Sequence, residues 1–304
     1  MREIEQERKS GDRLKRLAAA ASVSVATVLI IAKTSAWLAT GSVSLMSTLI
    51  DSVLDLAASL VNLVAIHQAL QPPDREHRFG HGKAEPLAGL AQAAFIAGSA
   101  GFLLFHAGER LINPTPISNS MIGYAVMAFS MALTLALVMF QRFVTRRTGS
   151  IAIRADALHY AVDLLTNTGV ILALVLSTQF GWLVADPLIA IAIALFILNG
   201  ARGILKRSLD LLMDRELPET DRERIREVAK GHPGVIDVHD IRTRCTGTDT
   251  FVQLHLEMDP SLTLLDAHTI GDQVMRGVQQ VIPGAEVLIH QDPHGIPEPK
   301  AFFR

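Results

Sequence analysis

The sequence of 304 residues contains a single cysteine, Cys245, which excludes an internal disulfide framework and any zinc cluster built only from cysteines. Charged residues are also scarce, since Asp, Glu, Lys and Arg make up 19% of the chain against roughly 25% in an ordinary globular protein. Apolar residues make up 49% of the chain, and the mean hydropathy is +0.32. This composition argues against a soluble enzyme of this size.

The net charge of −2 conceals two unlike parts. Residues 1–208 hold 18 Lys and Arg against 13 Asp and Glu, a net charge of +5, whereas residues 209–304 hold 10 against 17, a net charge of −7. The polar part has the wrong sign to attract phosphates, which excludes a nucleic-acid binder built on a basic domain. We predict a transmembrane domain over residues 1–208 and a separate acidic domain over residues 209–304.

Long apolar stretches fill the first of these parts. Each is long enough to cross a hydrocarbon core as a helix, which needs roughly 20 residues. One such stretch could be a buried helix of a soluble protein, but six in series predict a mainly α-helical membrane protein with a six-helix transmembrane bundle. The six stretches lie near residues 17–39, 44–70, 86–112, 121–141, 155–178 and 182–205.

The positions of Lys and Arg predict how the bundle is oriented. Basic residues cluster before the first span, between spans two and three, between spans four and five, and after span six. The alternate connections at 40–44, 113–120 and 177–186 contain neither Lys nor Arg. Because cytoplasmic loops carry the excess of Lys and Arg, both termini and the acidic domain are predicted to lie in the cytoplasm.

Ionisable side chains inside spans two and five form the first candidate site. Asp51 and Asp55 are spaced i, i+4, as are His159 and Asp163, so each pair lies on one helix face. Two such faces turned toward each other present three carboxylates and one imidazole, a tetrahedral set that suits Zn²⁺ and accepts Fe²⁺, Mn²⁺ or Cd²⁺. Protons compete with metal for these ligands, which is the physical basis of metal/proton exchange.

A structural role is the alternative interpretation of these carboxylates. Charges inside a bilayer are costly and usually face a cavity or a partner, so the carboxylates could pair with buried cations and hold the bundle together. Lys33 is the one basic residue deep in a predicted span, and one cation cannot neutralise three carboxylates. The sequence therefore favours a binding site over a structural ion pair.

The segment after span two carries a second candidate site. Pro72 and Pro73 stop the helix, and the next eight residues supply one oxygen and two nitrogen ligands: Asp74, His77 and His81. These ligands form an incomplete tetrahedron with room for water. On spacing alone, a metal site and a set of solvated surface histidines are equally good interpretations.

The acidic part changes to short elements. The pattern predicts helices over 219–231 and 264–281 and strands over 235–244, 251–258 and 285–291. The order α-β-β-α-β in fewer than 100 residues is typical of a small open α+β sandwich. Its core is small for an independent domain, so self-association would stabilise it.

Six of the eleven histidines lie in this acidic domain. His239, His255 and His290 each fall in a different predicted strand, and His268 falls in a helix. Asp292 lies two residues beyond His290, on the same side of the strand. A metal sensor or store and a set of scattered surface histidines both fit this pattern.

At these motifs the chain resembles the cation diffusion facilitator family, specifically its bacterial zinc and ferrous-iron exporters. The resemblance covers nearly the whole length. It rests on Asp51-x-x-x-Asp55, His159-x-x-x-Asp163, the loop at 74–85, and the tail segments at 238–244 and 289–293. The connection at 141–154 lacks the histidine-rich tract of many eukaryotic zinc members, which favours a bacterial protein of the inner (plasma) membrane.

The resemblance implies a homodimeric transporter rather than an enzyme, with a metallochaperone-like cytoplasmic domain. The implied transport site consists of Asp51, Asp55, His159 and Asp163. The implied loop metal site consists of Asp74, His77 and His81. The implied binuclear site of the cytoplasmic domain consists of His239, His255, His268, His290 and Asp292. An implied charge cluster at the dimer interface includes Lys83 and Asp214.

We therefore expect a proton-coupled antiporter that exports Zn²⁺ across the lipid bilayer, with Fe²⁺ and Cd²⁺ as further candidate substrates. It would work by alternating access of the site between spans two and five. The ligands do not discriminate sharply among Zn²⁺, Fe²⁺, Mn²⁺ and Cd²⁺. The alternative is a membrane metal sensor or scaffold whose spans only anchor the domain. The carboxylates of Asp51, Asp55 and Asp163 favour the transporter, since a pure anchor has no use for them.

Overall fold

The computed structural model describes residues 2–40, 43–112, 121–180, 182 and 184–296. The predicted connection at 113–120 lies outside these residues. Packing divides the chain into two compact units, Glu5–Leu209 and a second unit formed chiefly by the residues from Asp210 onward. The first unit is helical, and the second contains a three-stranded sheet.

Long helices build the first unit. They are α1 (Arg2–Thr40), α2 (Val43–Ala69), α3 (Ala84–Ile112), α4 (Met121–Thr148), α5 (Ile151–Phe180) and α6 (Ala185–Leu212). Helix α1 begins well ahead of its apolar stretch because the preceding residues are rich in Glu, Arg and Lys, which are strong helix formers. Helix α2 ends shortly before Pro72, since the residue before a proline disfavours helical geometry.

Five of these helices, within the residues that the structure describes, are long and apolar enough to cross a membrane. The five segments are Lys9–Ala39, Thr48–Ala69, Ala84–Glu109, Ala125–Thr148 and Pro187–Leu212. The remaining long helix, α5, has 30 residues and carries Asp156, His159 and Asp163. The prediction of a mainly α-helical membrane protein is confirmed, and the length and hydropathy of a span are confirmed for five helices of the predicted six.

Helix α5 lies among the other helices of the bundle. It packs against α2, α3 and α4, and nearly all of its residues from Ile151 to Val162 are buried. It also approaches α6 closely at Gly169, where a Cβ atom would lie 2.6 Å from Cδ1 of Ile193. Small residues allow such close approach between membrane helices. Protein rather than lipid therefore surrounds the polar side chains in the first half of α5.

A buried ion pair joins three helices. Nζ of Lys15 on α1 donates to Oε2 of Glu85 at 2.9 Å, and the two side chains are only 6% and 2% exposed. The other oxygen of Glu85, Oε1, accepts a hydrogen bond from the backbone N–H of Ile151 at 2.8 Å. Ile151 is the first residue of α5, where N–H groups have no partner within the helix. Glu85 on α3 therefore caps α5 and binds α1 with the same carboxylate.

The second unit has the predicted order α-β-β-α-β, which confirms the small α+β fold. Its elements are α7 (Glu219–Lys230), β1 (Asp237–Cys245), β2 (Thr250–Met258), α8 (Leu264–Val281) and β3 (Glu286–Pro293). The sheet has the order β1-β2-β3, in which β1 runs antiparallel and β3 parallel to β2. Helix α8 begins after Thr263, whose side chain accepts a hydrogen bond from the N–H of Asp266.

One face of this sheet forms the core of the second unit. Every second residue of β2 is buried: Val252, Leu254, Leu256 and Met258. These side chains pack with buried residues of α7 and α8. Because successive side chains of a strand point to opposite faces, His255 and the other odd-numbered residues of β2 face away from both helices.

Candidate metal sites

Side chains of α2 and α5 meet inside the bundle. Nε2 of His159 lies 2.9 Å from Oδ1 of Asp55, which is hydrogen-bond distance. One ligand atom each of Asp55, His159 and Asp163 lies within 4.8 Å of the other two. The side chains of His159 and Asp55 are only 6% and 15% exposed. Two carboxylates and one imidazole that converge this closely can bind a divalent transition metal.

Asp51, the fourth ligand expected from the sequence, does not join this cluster. It lies one turn before Asp55 on α2, and its side chain is exposed. The structure thus brings together three of the four expected ligands.

Lys33 of α1 binds α2 instead of the cluster. Its Nζ donates to Oγ of Ser52 at 2.7 Å and to the carbonyl oxygen of Thr48 at 3.0 Å. Within the described residues it forms no ion pair with Asp55 or Asp163. Lys33 thus lies close enough for its charge to attract the carboxylates, but its direct hydrogen bonds are to α2.

The loop between α2 and α3 brings all three of its expected ligands together. Oδ2 of Asp74 lies 3.3 Å from Nε2 of His81, and Oδ1 of Asp74 lies 3.5 Å from Nδ1 of His77. The ring centroids of His77 and His81 are 4.5 Å apart. The His81 side chain is nearly buried, whereas Asp74 and His77 are exposed. One oxygen and two nitrogen ligands are therefore available on the surface of the loop.

Backbone hydrogen bonds hold the Asp74 carboxylate in this loop. The N–H of His77 donates to Oδ1 of Asp74 at 2.6 Å, and the N–H of Glu76 donates to the same oxygen at 2.9 Å. The hydrogen bond from His77 is the main cause that lowers the pKa of Asp74 below its ordinary value, and the bond from Glu76 adds to it. Asp74 therefore stays ionised at neutral pH and keeps its affinity for a cation.

Three strands of the second unit place histidines in one row across the outer face of the sheet. His239 of β1 is opposite His255 of β2, and His255 is opposite His290 of β3. The ring centroids are 5.2 Å apart in the first pair and 4.6 Å apart in the second. This row depends on the register between the strands, which the pattern of a single strand does not determine.

Asp292 connects the three imidazoles of this row. Its Oδ2 lies 2.8 Å from Nδ1 of His255 and 3.8 Å from Nε2 of His239. Its Oδ1 lies 3.0 Å from Nε2 of His290. A carboxylate whose two oxygens reach different histidines has the geometry to bridge two metal ions, as the ligands of two-metal sites do.

Asp240 is a further candidate ligand that the sequence reasoning missed. Its Oδ2 lies 3.8 Å from Nε2 of His255, and both of its carboxylate oxygens accept hydrogen bonds from Arg242, which a metal ion would have to displace. The register of β1 is irregular between His239 and Arg242, and Asp240 has a φ of 46°, in the left-handed region. Such a bulge turns a side chain away from regular strand alternation. The only signal for Asp240 in the sequence was its position directly after the candidate ligand His239.

His268 lies on the other side of the sheet. It belongs to α8, where its Nε2 lies 3.8 Å from Oδ2 of Asp272, and it lines a cavity of about 140 Å³ with Val287 and Ile289 of β3. Because Val287 and Ile289 alternate with His290, the sheet separates His268 from the histidine row of its own chain. Four of the five expected ligands are thus brought together within one chain.

Lys83 and Asp214 belong to different units. Lys83 directly precedes α3, and Asp214 follows α6. Oδ2 of Asp214 lies 3.6 Å from Nη1 of Arg244. The charge cluster that Lys83 and Asp214 are expected to share at a dimer interface stays a prediction.

Long apolar helices around a cluster of candidate metal ligands, followed by a small domain with a histidine row, are the features expected of a membrane transporter for metal cations. Residues 19–213 match the cation efflux transmembrane domain, and residues 217–294 match the cytoplasmic domain of cation efflux proteins. The chain belongs to the cation efflux, or cation diffusion facilitator, family. The family resemblance seen in the sequence motifs is confirmed.

Relatives of this family cover nearly the whole chain. The cation-efflux pump FieF of Shewanella oneidensis is 49% identical over 278 residues, which are 91% of this chain and 94% of that protein. FieF of Salmonella typhimurium is 46% identical over 281 residues, 92% of this chain and 93% of that protein. Among solved structures, CzrB in its Zn form is 33% identical, and the match covers 29% of this chain and 100% of that chain, with a TM-score of 0.25.

The family establishes the general activity. Its members, including both relatives, are cation efflux transporters, which confirms the prediction that the chain is not an enzyme. The chain is a multi-pass membrane protein for the efflux of metal cations, with a metal-binding cytoplasmic domain.

Proposed function

We propose that the protein is a proton-coupled antiporter that moves Zn²⁺, and also Fe²⁺ or Cd²⁺, out of the cytoplasm. The observation that carries this proposal is the convergence of Asp55, His159 and Asp163 inside the bundle. Each of these side chains binds either a proton or a metal ion through the same atoms, so release of metal favours uptake of protons. Alternating access of this site between α2 and α5 then exchanges metal for protons.

The ligand chemistry supports zinc as the main substrate. Zn²⁺ binds four ligands in a tetrahedron and accepts imidazole nitrogen and carboxylate oxygen. Asp51 lies four residues before Asp55 on α2, within reach of the same helix face, and supplies the fourth ligand once its side chain turns inward. Fe²⁺ and Cd²⁺ accept a similar set of ligands, which makes them further substrates.

The distribution of basic residues supports an orientation with both termini and the second unit in the cytoplasm. Arg146 and Arg147 lie in the last turn of α4, and Arg75 and Arg78 lie in the loop after α2. Both positions are on the side that the positive-inside rule assigns to the cytoplasm. The bacterial source of the relatives supports placement in the bacterial inner membrane.

Exposed apolar side chains support a homodimer formed through the second unit. Leu264 and Leu265 at the start of α8 and Leu288 on β3 are all strongly exposed. Leu288 shares its strand face with His290, so apolar surface adjoins the histidine row, as at interaction sites. Because the sheet keeps His268 from the row of its own chain, His268 serves a shared metal site only when a second copy supplies it.

Replacement of Asp292, whose carboxylate contacts all three histidines of the row, should weaken metal binding by the cytoplasmic domain. In Asp292→Ala both oxygens that reach the histidines are lost, and we expect the zinc affinity of the domain to fall by more than about tenfold. Equilibrium dialysis of the full-length protein, with zinc counted per chain, measures this change. Glu257→Ala is the matched control, because Glu257 is a β2 carboxylate that pairs with His294. Equal zinc binding by the two variants would contradict the domain site.

Proteoliposomes with an imposed pH gradient test the antiport. With an acidic lumen and zinc outside, protons that leave the lumen should drive zinc inward against its own gradient. A protonophore that collapses the gradient should stop this accumulation. Zinc accumulation that persists unchanged after the gradient has been collapsed would show that protons are not the counter-ion.

A further inference from the structure

A second polar cluster lies buried in the bundle, apart from the three metal ligands of α2 and α5. Its centre is Asp156 of α5, which is 0% exposed. The hydroxyl of Ser22 on α1 donates to Oδ2 of Asp156. Nε2 of Gln141 on α4 donates to the same oxygen at 2.6 Å and to Oγ of Ser22 at 2.7 Å. One carboxylate thus joins α1, α4 and α5.

The other oxygen of this carboxylate is buried without a partner. Within the described residues, neither Oδ1 of Asp156 nor Oε1 of Gln141 accepts a hydrogen bond. Asn62 of α2 presents its amide to the carboxylate as a further donor, although its Nδ2 lies outside hydrogen-bond geometry. Buried acceptors that lack a donor are costly and rare. Uptake of a proton on Oδ1 of Asp156 would satisfy one of these acceptors.

No charged side chain of the surrounding helices neutralises Asp156 in the described part of the chain. The side chains that face it from α1, α2 and α4 are uncharged: Ser22, Asn62 and Gln141. The titratable neighbours are His159 and Tyr160 on α5 itself. A carboxylate this deeply buried and without a cation in contact is strongly disfavoured as an anion.

The donors around Asp156 select a proton over a metal ion. Ser22 and Gln141 direct O–H and N–H groups at Oδ2, so they present hydrogens to the carboxylate instead of lone pairs. A metal ion needs several lone pairs, from carboxylates, carbonyls or imidazoles. A proton needs only Oδ1, the oxygen that lacks a partner.

We propose that Asp156 binds and releases a proton in each transport cycle, separately from the metal ligands. The inference rests on the proposed antiport. Asp156 takes up one proton on Oδ1 to form a carboxylic acid and returns the same proton to water when metal binds, with no other bond made or broken. It precedes His159 by three residues and Asp163 by seven, so all three lie on one face of α5. A metal ion at His159 adds positive charge one turn away and favours release of the proton.

The limiting accumulation of zinc measures the number of coupled protons. In proteoliposomes with the membrane potential clamped, each coupled proton multiplies the limiting ratio of zinc inside to outside by about tenfold per pH unit. With a gradient of about one pH unit, Asp156→Asn should therefore lower this ratio about tenfold. The zinc affinity of the transport site should stay at the wild-type value, because its ligands are intact. Ser130→Ala, a buried polar position of α4 outside the cluster, is the matched control and should keep the wild-type ratio.

The outcomes separate this inference from the antiport on which it rests. If the wild-type protein shows no gradient-driven accumulation, the antiport itself is wrong. If the wild-type protein accumulates zinc and Asp156→Asn reaches the same ratio, Asp156 carries no coupled proton. Parallel loss of zinc affinity and flux in Asp156→Asn would show a structural role and overturn the inference as well.

Asp156→Glu decides the question if Asp156→Asn does not fold. It keeps a carboxylic acid and should retain the wild-type limiting ratio. Infrared difference spectra between zinc-free and zinc-bound protein should show the loss of a carbonyl band from a protonated carboxylic acid, at a position that differs between wild type and Asp156→Glu. A band at the same position in both proteins would assign the proton elsewhere and overturn the proposal.

Discussion

Asp55→Asn should reduce zinc uptake into proteoliposomes to the level of empty vesicles. The substitution keeps the size of the side chain but removes the negative charge whose oxygen lies 2.9 Å from Nε2 of His159. Zn²⁺ takes carboxylate rather than amide oxygen among its usual protein ligands. We expect the zinc affinity of the transport site to fall by at least about tenfold, since loss of even an outer partner of a ligand costs that much.

Glu109→Gln is the matched control for this loss of charge. Glu109 also lies in a span, but it is exposed near the end of α3, where its Oε2 lies 3.3 Å from Nδ1 of His106. This variant should transport zinc as the wild type does. Asp55→Asn protein that is folded, binds zinc with wild-type affinity and retains flux would contradict the assignment of the transport site.

Lys15→Met should destabilise the bundle by about 3–5 kcal/mol. Among the residues that the structure describes, the substitution leaves the Glu85 carboxylate, 2% exposed, with only the N–H of Ile151 as a partner. An unpaired charge that is buried away from water lowers the free energy of unfolding far more than the loss of a surface ion pair does. Thermal unfolding of the detergent-solubilised protein should therefore show a marked fall in the melting temperature.

Two further variants separate lost charge pairing from lost packing. Lys15→Met combined with Glu85→Gln removes both charges but keeps an oxygen that accepts from the N–H of Ile151, so most of the lost stability should return. Arg13→Met, at an exposed position of α1, should change the melting temperature little. A Lys15→Met protein as stable as Arg13→Met would show that the ion pair contributes nothing.

The local spacing of the candidate ligands predicted which side chains of α2 and α5 lie close together inside the bundle. Asp55 and the pair His159 and Asp163 meet because each span is one continuous helix, so that sequence spacing determines which side chains share a face. Spacing did not separate Asp55 from Asp51, because i, i+4 neighbours are close on a helix surface and the final side-chain positions depend on the facing helix. The same argument explains why α8 matches its predicted bounds of 264–281, since amphipathic periodicity and the N-cap are local signals.

Contacts between residues that are far apart in the sequence could not be predicted. Lys15 and Glu85 are 70 residues apart, and no pattern in either segment states that their helices touch. Asp156 could have been suspected, because it is seven residues before Asp163 and thus on the same helix face, but its partners Ser22 and Gln141 come from other helices.

The alternation of side chains along β2 could have predicted that His268 lies on the other side of the sheet from His255. The alternation of β2 already places His255 on the face opposite the core, and α8 must cover the core face. A histidine of α8 therefore cannot share a site with His255 inside one chain. What the sequence could not supply was the register that aligns His239, His255 and His290 across three strands.

Anomalous X-ray diffraction at the zinc absorption edge, from crystals of the zinc-loaded full-length protein, tests the central claim most directly. A zinc ion held between α2 and α5 should give an anomalous peak within coordination distance of Asp55, His159 and Asp163, and this peak should vanish in Asp55→Asn. Transport-competent wild-type protein whose only peaks lie in the loop after α2 and on the sheet of the second unit would contradict the claim.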